Sequence, residues 1–380
     1  SFPGHAAHAN RLRALANGVA ERQGWSVTVV GSVTEQQYME SSNYEEELFN
    51  IVSCPATRFT RENLILRAWG ELRQTFRLLR AAKAQQPEVL IISIPSLFLL
   101  LALFSPQKGV PVVVDIRDLV WDYLAESNGF RSWVGRIFRF AARYLLRRSA
   151  GITVTNDQQA RAVQDTLKKP PQVIHNGISK QRFERLASIP VSKTAKNPFH
   201  VVYIGNIGLA QELDTLVDAI GGDPNYQVTL VGGGTDYSRI EKILTDKCII
   251  NVTLTGPLAW EQTLAYCEEA DCLYGQIGKV FTTAVPSKIF EYACCGRPVI
   301  FAAPEGAARD IISQFSGFYA LSPCDSNQLR RMLEEMRTRA TDSQINVDYN
   351  RNLVRSTFLR EESARKFGAI VQKVFDKEYR

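Results

Sequence analysis

What the sequence lacks narrows the field first. Its seven cysteines (Cys54, Cys248, Cys267, Cys272, Cys294, Cys295 and Cys324) are an odd number, with no Cys-x-x-Cys pair and no Cys/His spacing suited to zinc. They read as reduced, structural thiols of a cytoplasmic protein rather than a disulfide scaffold or a zinc module. No apolar run has the roughly 20 residues that a membrane-spanning helix needs. The strongest, from Val89 to Phe104, carries no charge but is broken by Pro95, and reads as a buried strand followed by a buried helix. Gly-x-Gly-x-x-Gly after a strand, the P-loop, Gly-x-Ser-x-Gly and His-Glu-x-x-His are all missing; Gly232-Gly233-Gly234 is a glycine turn without the rest of a dinucleotide fingerprint. Hydride transfer, P-loop hydrolysis, serine hydrolysis and zinc proteolysis thus lose their usual signatures. No short-period repeat or low-complexity tract occurs either.

What is present is ordinary in composition and uneven in charge. The 380 residues are 45% apolar and 22% charged, the balance of a soluble globular chain long enough for two to three domains. The net charge of +6 lies wholly in the first half: residues 1–170 hold 21 Lys and Arg against 15 Asp and Glu, while residues 171–380 hold 24 of each. A basic half and a neutral half imply different partners for the two. The excess is modest and no recognised binding motif accompanies it, so nucleic acid is not among the partners expected.

Short β-branched runs alternate with helical periodicity almost throughout. Strands are predicted at 26–30, 50–54, 89–94, 111–115, 151–155 and 172–175, then at 200–204, 227–231, 251–254, 272–274, 298–301 and 318–320. Helices are predicted at 8–21, 130–148, 209–220 and 237–245, among others. Near-continuous apolar strands alternating with helices imply parallel sheets covered on both faces. The expected class is α/β: two doubly wound Rossmann-like domains facing across a cleft, residues 1–178 and 179–358, with a C-terminal helix at 359–380 completing the first. Residues 1–4, ending in Gly4, read as the loop after a first strand. Since the first strand of such a sheet is usually central, the natural protein is expected to begin upstream.

The segment richest in chemistry is Val285-Pro-Ser-Lys-Ile-Phe-Glu-Tyr-Ala-Cys-Cys-Gly-Arg-Pro-Val-Ile300. Pro286 suits the first position of a helix, with Ser287 and Lys288 in the first turn, where free N–H groups and the helix dipole attract an anion. Glu291 falls three residues on, on the same face. A cation at a helix start with a carboxylate one turn in suits a sugar nucleotide, diphosphate at the amides and Lys288, ribose at Glu291. An ordinary capped helix packing Ile289, Phe290 and Ala293 would give the same pattern.

This run resembles the donor-site signature of glycosyltransferase family 4, whose members have the two-domain GT-B fold. Further segments match in the same order: residues 5–21 as the first loop and helix, Asp115-Ile-Arg-Asp-Leu-Val-Trp121 after an N-domain strand, Val173-Ile-His-Asn-Gly-Ile178 at the domain junction, Tyr203-Ile-Gly-Asn-Ile-Gly208 opening the second domain, then 231–234 and Thr255-Gly-Pro-Leu258. The chain looks most like the bacterial branch that adds N-acetylamino sugars to polyprenyl-diphosphate-linked glycans. The resemblance implies a retaining transfer from a UDP-sugar substrate, with no cofactor and no obligatory metal. It places the donor at Gly4, Gly205, Asn206, Gly208, Gly256, Leu258, Thr283, Pro286, Ser287, Lys288 and Glu291. Two departures stand out. The family's first carboxylate of Glu-x7-Glu is Thr283 here, and its diphosphate-binding Arg and Lys correspond to Asn206 and Gln211.

Departure of a nucleoside diphosphate builds negative charge, so preorganised donors at the leaving group lower the barrier. The acceptor hydroxyl must meanwhile be held at the anomeric carbon, and Asp118 is the residue expected to bind it or handle its proton. Pairing with Arg117 or a capping role would equally account for Asp118. The remaining charged feature is residues 130–148, where Arg136, Arg139, Arg143 and Arg147 recur at helical spacing beside Trp133, Ile137, Phe140 and Tyr144. A basic amphipathic helix of this kind suits an anionic membrane, here the inner face of the plasma membrane where a lipid-linked acceptor would sit; a solvated arginine face packed on the sheet is the plain alternative. Two other functions stay open at this point, a UDP-sugar 2-epimerase of the same architecture and a non-catalytic nucleotide-sugar-binding subunit.

Overall fold

The computed structural model describes residues 7–22, 24–33, 48–56, 64–94, 97–104, 109–125, 129–164, 167, 170–191, 197–338 and 345–379. They form two compact units, Ser1–Asn176 with Arg360–Arg380, and Gly177–Leu359.

In the first unit β1 (Thr28–Val33) pairs in parallel with β2 (Asn50–Pro55), while β3 (Leu90–Ile94), β4 (Val112–Ile116), β5 (Gly151–Val154) and β6 (Gln172–Val173) form a second parallel sheet in that order. Among the described residues β1 pairs on one side only, with β2, and β3 on one side only, with β4. β4 is buried along its whole length, and alternation sends its side chains to two cores. Val112, Val114 and Ile116 pack with Leu145 and Leu146 of the Phe130–Leu146 helix. Val113 packs with Leu15 and Val19 of the Ala7–Ala20 helix and with Phe367 and Val371 of the Arg360–Tyr379 helix. Each fully buried aliphatic or Phe side chain contributes about 1.5–3 kcal/mol, so an apolar run with no polar face commits a strand to the middle of two layers. The Ala7–Ala20 and Arg360–Tyr379 helices cross where both carry glycine: a methyl group on Gly18 would strike the Ala364 carbonyl, and one on Gly368 would strike the Gly18 carbonyl.

The helix expected after Pro95 is a 3-10 helix, Leu97–Leu103, with Leu100, Ala102 and Leu103 buried. Among the described residues no helix is long and apolar enough to cross a membrane.

The second unit is one parallel sheet of β7 (Phe199–Ile204), β8 (Tyr226–Val231), β9 (Val252–Gly256), β10 (Cys272–Gln276), β11 (Val299–Ala302) and β12 (Phe318–Leu321), ordered β12-β11-β10-β7-β8-β9. Val201, Tyr203, Val228 and Leu230 face one core, and Val202, Ile204, Leu273 and Phe301 the other. The strand order reverses between β7 and β10: the chain leaves β7 toward β8 on one side and returns to β10 on the other. The crevice beyond the carboxyl ends of such a pair is where open α/β sheets bind ligands.

The predicted 209–220 helix is broken. Leu209–Gln211 is a 3-10 turn, Glu212 has a φ of 42°, and the α-helix begins only at Asp214. Gln276 Nε2 donates to the Glu212 carbonyl at 2.9 Å, tying the break to the end of β10.

Candidate functional site

Three glycine loops meet beyond the carboxyl ends of β7, β8 and β9. The Gly205 N–H donates to the Val231 carbonyl at 2.9 Å, Ile207 N–H to Gly233 at 2.9 Å, and Gly232 N–H to Gly256 at 3.1 Å. A side chain at Gly232 would collide with the Gly205 carbonyl, and one at Gly234 with the Ile207 carbonyl, so backbone lies against backbone. Lys288 joins this group from the segment after β10: a Cβ on Gly205 would stand 3.3 Å from Lys288 Cε. The switch point thus carries Gly205 from one side and a lysine from the other.

Lys288 opens a short helix, Lys288–Cys294, rather than lying inside one that starts at Pro286. The Ile289 N–H donates to the Pro286 carbonyl at 3.2 Å and Phe290 N–H to Ser287 at 3.1 Å, so the first turn is bonded already and Ser287 makes no side-chain cap. Charge at this place comes from Lys288 more than from free helix amides. Lys288 Nζ lies 2.8 Å from Glu291 Oε2, and Arg182 Nη1, from the Lys180–Ala187 helix, lies 3.2 Å from Glu291 Oε1. Burial pushes the Glu291 carboxyl up, but Lys288 and Arg182 outweigh it and hold the group below the usual range, so it is ionised.

Arg182 was invisible in the sequence, 109 residues from its partner. Its signal is only the spacing: Ser179 caps the helix, Phe183 and Leu186 face the core, and Arg182 falls at the edge of that face.

Of the other expected donor residues, Asn206 and Gln211 are bonded to each other, Nδ2 to Oε1 at 3.1 Å, so neither brings a charge. Gly208 lies under the Asn206 side chain, and Leu258 packs on the core beside Trp260. Thr283 sits in the turn whose Thr282 carbonyl accepts from Ala307 N–H at 2.9 Å. Gly4 lies outside the described residues.

In the first unit Asp115 is fully buried near the carboxyl end of β4. Arg11 grips it with Nη2 at 2.7 Å and Nε at 3.1 Å, while Ser93 and Thr153, its neighbours across β3 and β5, donate at 3.1 and 2.8 Å. Arg11 Nη1 also donates to the Ile174 carbonyl at 2.9 Å and to Asn176 Oδ1 at 3.1 Å. Asp115 is therefore a structural anchor, its carboxyl pushed up by burial but carried below the usual range by Arg11 and Thr153. Asp118 differs. It follows β4 by two residues and makes no side-chain hydrogen bond or ion pair with a described residue, Arg117 included. Burial raises its carboxyl, and the more distant charges of Arg117 and Arg11 offset this only in part. A half-buried carboxylate with a raised pKa and no hydrogen-bond partner among the described residues is a candidate functional group.

The arginine stripe of the Phe130–Leu146 helix does not form one exposed row. Arg139 Nε pairs with Asp122 at 2.5 Å, and Arg143 turns inward with Nη2 3.5 Å from the Ala162 carbonyl. Arg136, Arg147 and Arg148 remain exposed, and between them lies the apolar row instead: Trp133, Ile137, Phe140 and Tyr144, with Phe140 76% exposed. Burying Leu145 and Leu146 fixes the helix rotation, and at 100° per residue that carries the aromatics outward.

The switch-point lysine and the glycine loops define a class of protein that the comparisons make specific. Residues 7–177 match the family described as a glycosyl transferase 4-like domain, and residues 185–347 match the glycosyl transferases group 1. The chain belongs to the GT4-type glycosyltransferases. An uncharacterized glycosyltransferase of Methanocaldococcus jannaschii is 18% identical over 208 residues, 53% of this chain and 52% of that protein. The chain thus spans about half the length of this curated relative.

Among solved structures, sucrose-phosphate synthase of Thermosynechococcus elongatus has a TM-score of 0.73 at 17% identity, over 97% of this chain and 94% of that one. HepE of Anabaena, in complex with UDP-glucose, has 0.69 at 14%, over 98% and 97%. WaaG, a glycosyltransferase involved in lipopolysaccharide biosynthesis, has 0.58 at 14%, over 100% and 97%. At these identities the likeness is one of fold, and the fold is GT-B.

Proposed function

We propose that the chain is a retaining glycosyltransferase that moves a sugar, an N-acetylamino sugar by the branch its motifs resemble, from UDP to a lipid-linked or other cell-surface glycan. The observation that carries this reading is the lysine laid against the Gly205 loop at the β7/β10 switch point, with an ionised carboxylate beside it. Lys288 meets the charge that develops on the departing diphosphate, with no metal required, and Glu291 accepts from the ribose hydroxyls. Asp118 takes the proton of the acceptor hydroxyl. UDP-glucose bound to HepE and the involvement of WaaG in lipopolysaccharide biosynthesis support a UDP-sugar donor and a cell-surface glycan acceptor for a chain of this fold.

Lys288→Ala should weaken UDP binding about 10- to 100-fold, the scale of one hydrogen bond to a charged group. Titration calorimetry with UDP reads this directly, and unchanged affinity in a folded variant removes the site assignment. Incubation with UDP-GlcNAc and no acceptor should leave the donor sugar unaltered. Formation of UDP-ManNAc would instead make the protein a 2-epimerase.

The reading includes reversible docking on the cytoplasmic face of an anionic membrane. Trp133, Ile137, Phe140 and Tyr144 enter the interface while Arg136, Arg147 and Arg148 meet lipid phosphates, which together contribute about 3 kcal/mol at roughly 1 kcal/mol per cation. Phe140→Asp should abolish sedimentation with phosphatidylserine-containing liposomes at any ionic strength, whereas raised salt should only weaken the wild type. Equal binding to neutral and anionic liposomes contradicts the arrangement.

A further inference from the structure

Glu291 is held differently from a surface carboxylate. Its side chain is 12% exposed, and its two oxygens are divided between two cations, Oε2 to Lys288 and Oε1 to Arg182. Arg182 is itself held on three sides. Its backbone N–H donates to the capping Ser179 hydroxyl at 3.4 Å, its guanidinium carbon lies 4.8 Å from the centre of the Trp260 ring, and its Nη1 meets Glu291 at 3.2 Å. A guanidinium lying over an indole loses rotational freedom, which favours one N–H facing the carboxylate.

A carboxylate has about four acceptor directions, and Lys288 and Arg182 use one on each oxygen. Among the described residues neither oxygen has a further hydrogen-bond partner, which leaves one direction on each for a ligand such as two neighbouring hydroxyl groups. Without Arg182 the carboxylate is free to turn both oxygens toward Lys288, three residues along the same helix. That would rotate it out of position and draw a second of the three N–H groups of Lys288, which already gives one to Oε2, away from the diphosphate. Two opposite charges would then cancel at the switch point, where the present cluster carries one net positive charge.

We propose that Arg182 is a positioning residue of the donor site, holding Glu291 at the angle at which it receives the vicinal hydroxyls of the nucleotide ribose and leaving Lys288 for the phosphates. The proposal rests on the reading of Glu291 as the ribose ligand. It adds a residue on a separate helix, Lys180–Ala187, to the donor machinery.

The test compares UDP with 2′-deoxy-UDP on the full chain, by titration calorimetry, in the wild type and in Arg182→Ala, Arg182→Lys and Glu291→Gln. A ribose held by an oriented carboxylate gives the wild type a preference for UDP of about tenfold or more. Arg182→Ala should bring that ratio close to one, through weaker binding of UDP chiefly. Arg182→Lys, which keeps the charge but loses the planar stack on Trp260, should restore part of it. A role in folding alone would weaken both nucleotides equally and leave the ratio alone. Should Arg182→Ala not fold, the lysine variant reads the same ratio, and a full wild-type preference in it overturns the proposal. A wild-type ratio in Arg182→Ala while Glu291→Gln loses the preference also overturns it, and leaves Glu291 as ribose ligand standing. No preference in the wild type, or one that survives Glu291→Gln, defeats both this proposal and the ribose assignment beneath it.

Discussion

Asp115→Ala should destabilise the first unit by about 3–5 kcal/mol, the scale of removing one partner from a buried ion pair. The cost arises less from the lost attraction than from what remains: an Arg11 guanidinium sealed beside β4, with the Ser93 and Thr153 hydroxyls also deprived of their acceptor. For a unit of this size a loss on that scale lowers the midpoint of thermal unfolding by roughly 6–20 °C. The two units need separate reporters, since one melting curve for both would not be two-state. Trp260 belongs to the second unit, while Trp25, Trp69, Trp121 and Trp133 belong to the first, so a Trp260→Phe background makes tryptophan fluorescence report the first alone. The sign of the pH dependence follows from the depressed carboxyl of Asp115. Its contribution is complete above the unfolded value of about 3.9 and is lost as pH falls through the lower folded value. Wild type and Asp115→Ala should therefore differ fully at neutral pH and converge in acid. An Asp115→Ala midpoint within two degrees of wild type would show that the carboxylate anchors nothing.

Asp118→Asn should have the opposite profile. As the proposed base it should lower kcat by about 10²- to 10⁴-fold while leaving the UDP titration unchanged. Stability should hold or rise slightly, because burial raises the Asp118 carboxyl and its ionised form is therefore a net cost to the fold at neutral pH. In the wild type the acidic limb of kcat should fall at a pH above the ordinary aspartate value of about 3.9. Full turnover by Asp118→Asn would remove the residue from the chemistry. Loss of activity together with a large drop in the unfolding midpoint would assign it to the fold instead.

The central strands of the described residues were legible because parallel strands covered on both faces must be apolar at nearly every position, as in Val112–Ile116 and Phe199–Ile204. Helix character was harder to read than helix presence. Leu209–Ile220 has the right periodicity, yet Glu212 adopts the left-handed conformation, and its carbonyl accepts a hydrogen bond from Gln276, 64 residues away. In the same way the arginines at 136, 139, 143 and 147 share a spacing, but burial of Leu145 and Leu146 and the pull of Asp122 decide which of them reach solvent. The proposed donor site divides along the same line. Lys288 and Glu291, three residues apart, could be read as a pair. Arg182 could not, since only the folded second unit brings it within reach. Asp115 and Asp118 are alike in a string of letters; their different surroundings appear only when Arg11 arrives from the first helix to claim one of them.

The Arg360–Tyr379 helix closes the first unit by seating Phe367 and Val371 under β4 and passing Gly368 across Gly18. It is made only after the whole of Gly177–Leu359. On a ribosome adding about 5–20 residues per second, the first unit therefore waits roughly 10–40 s with its Val113 face open, while the second unit has everything it needs sooner. The order of synthesis is thus the reverse of the order of completion. The nascent first unit is the one that needs protection from aggregation, and a ribosome stalled between Leu359 and Phe367 leaves a chain whose second unit is complete while its first is not.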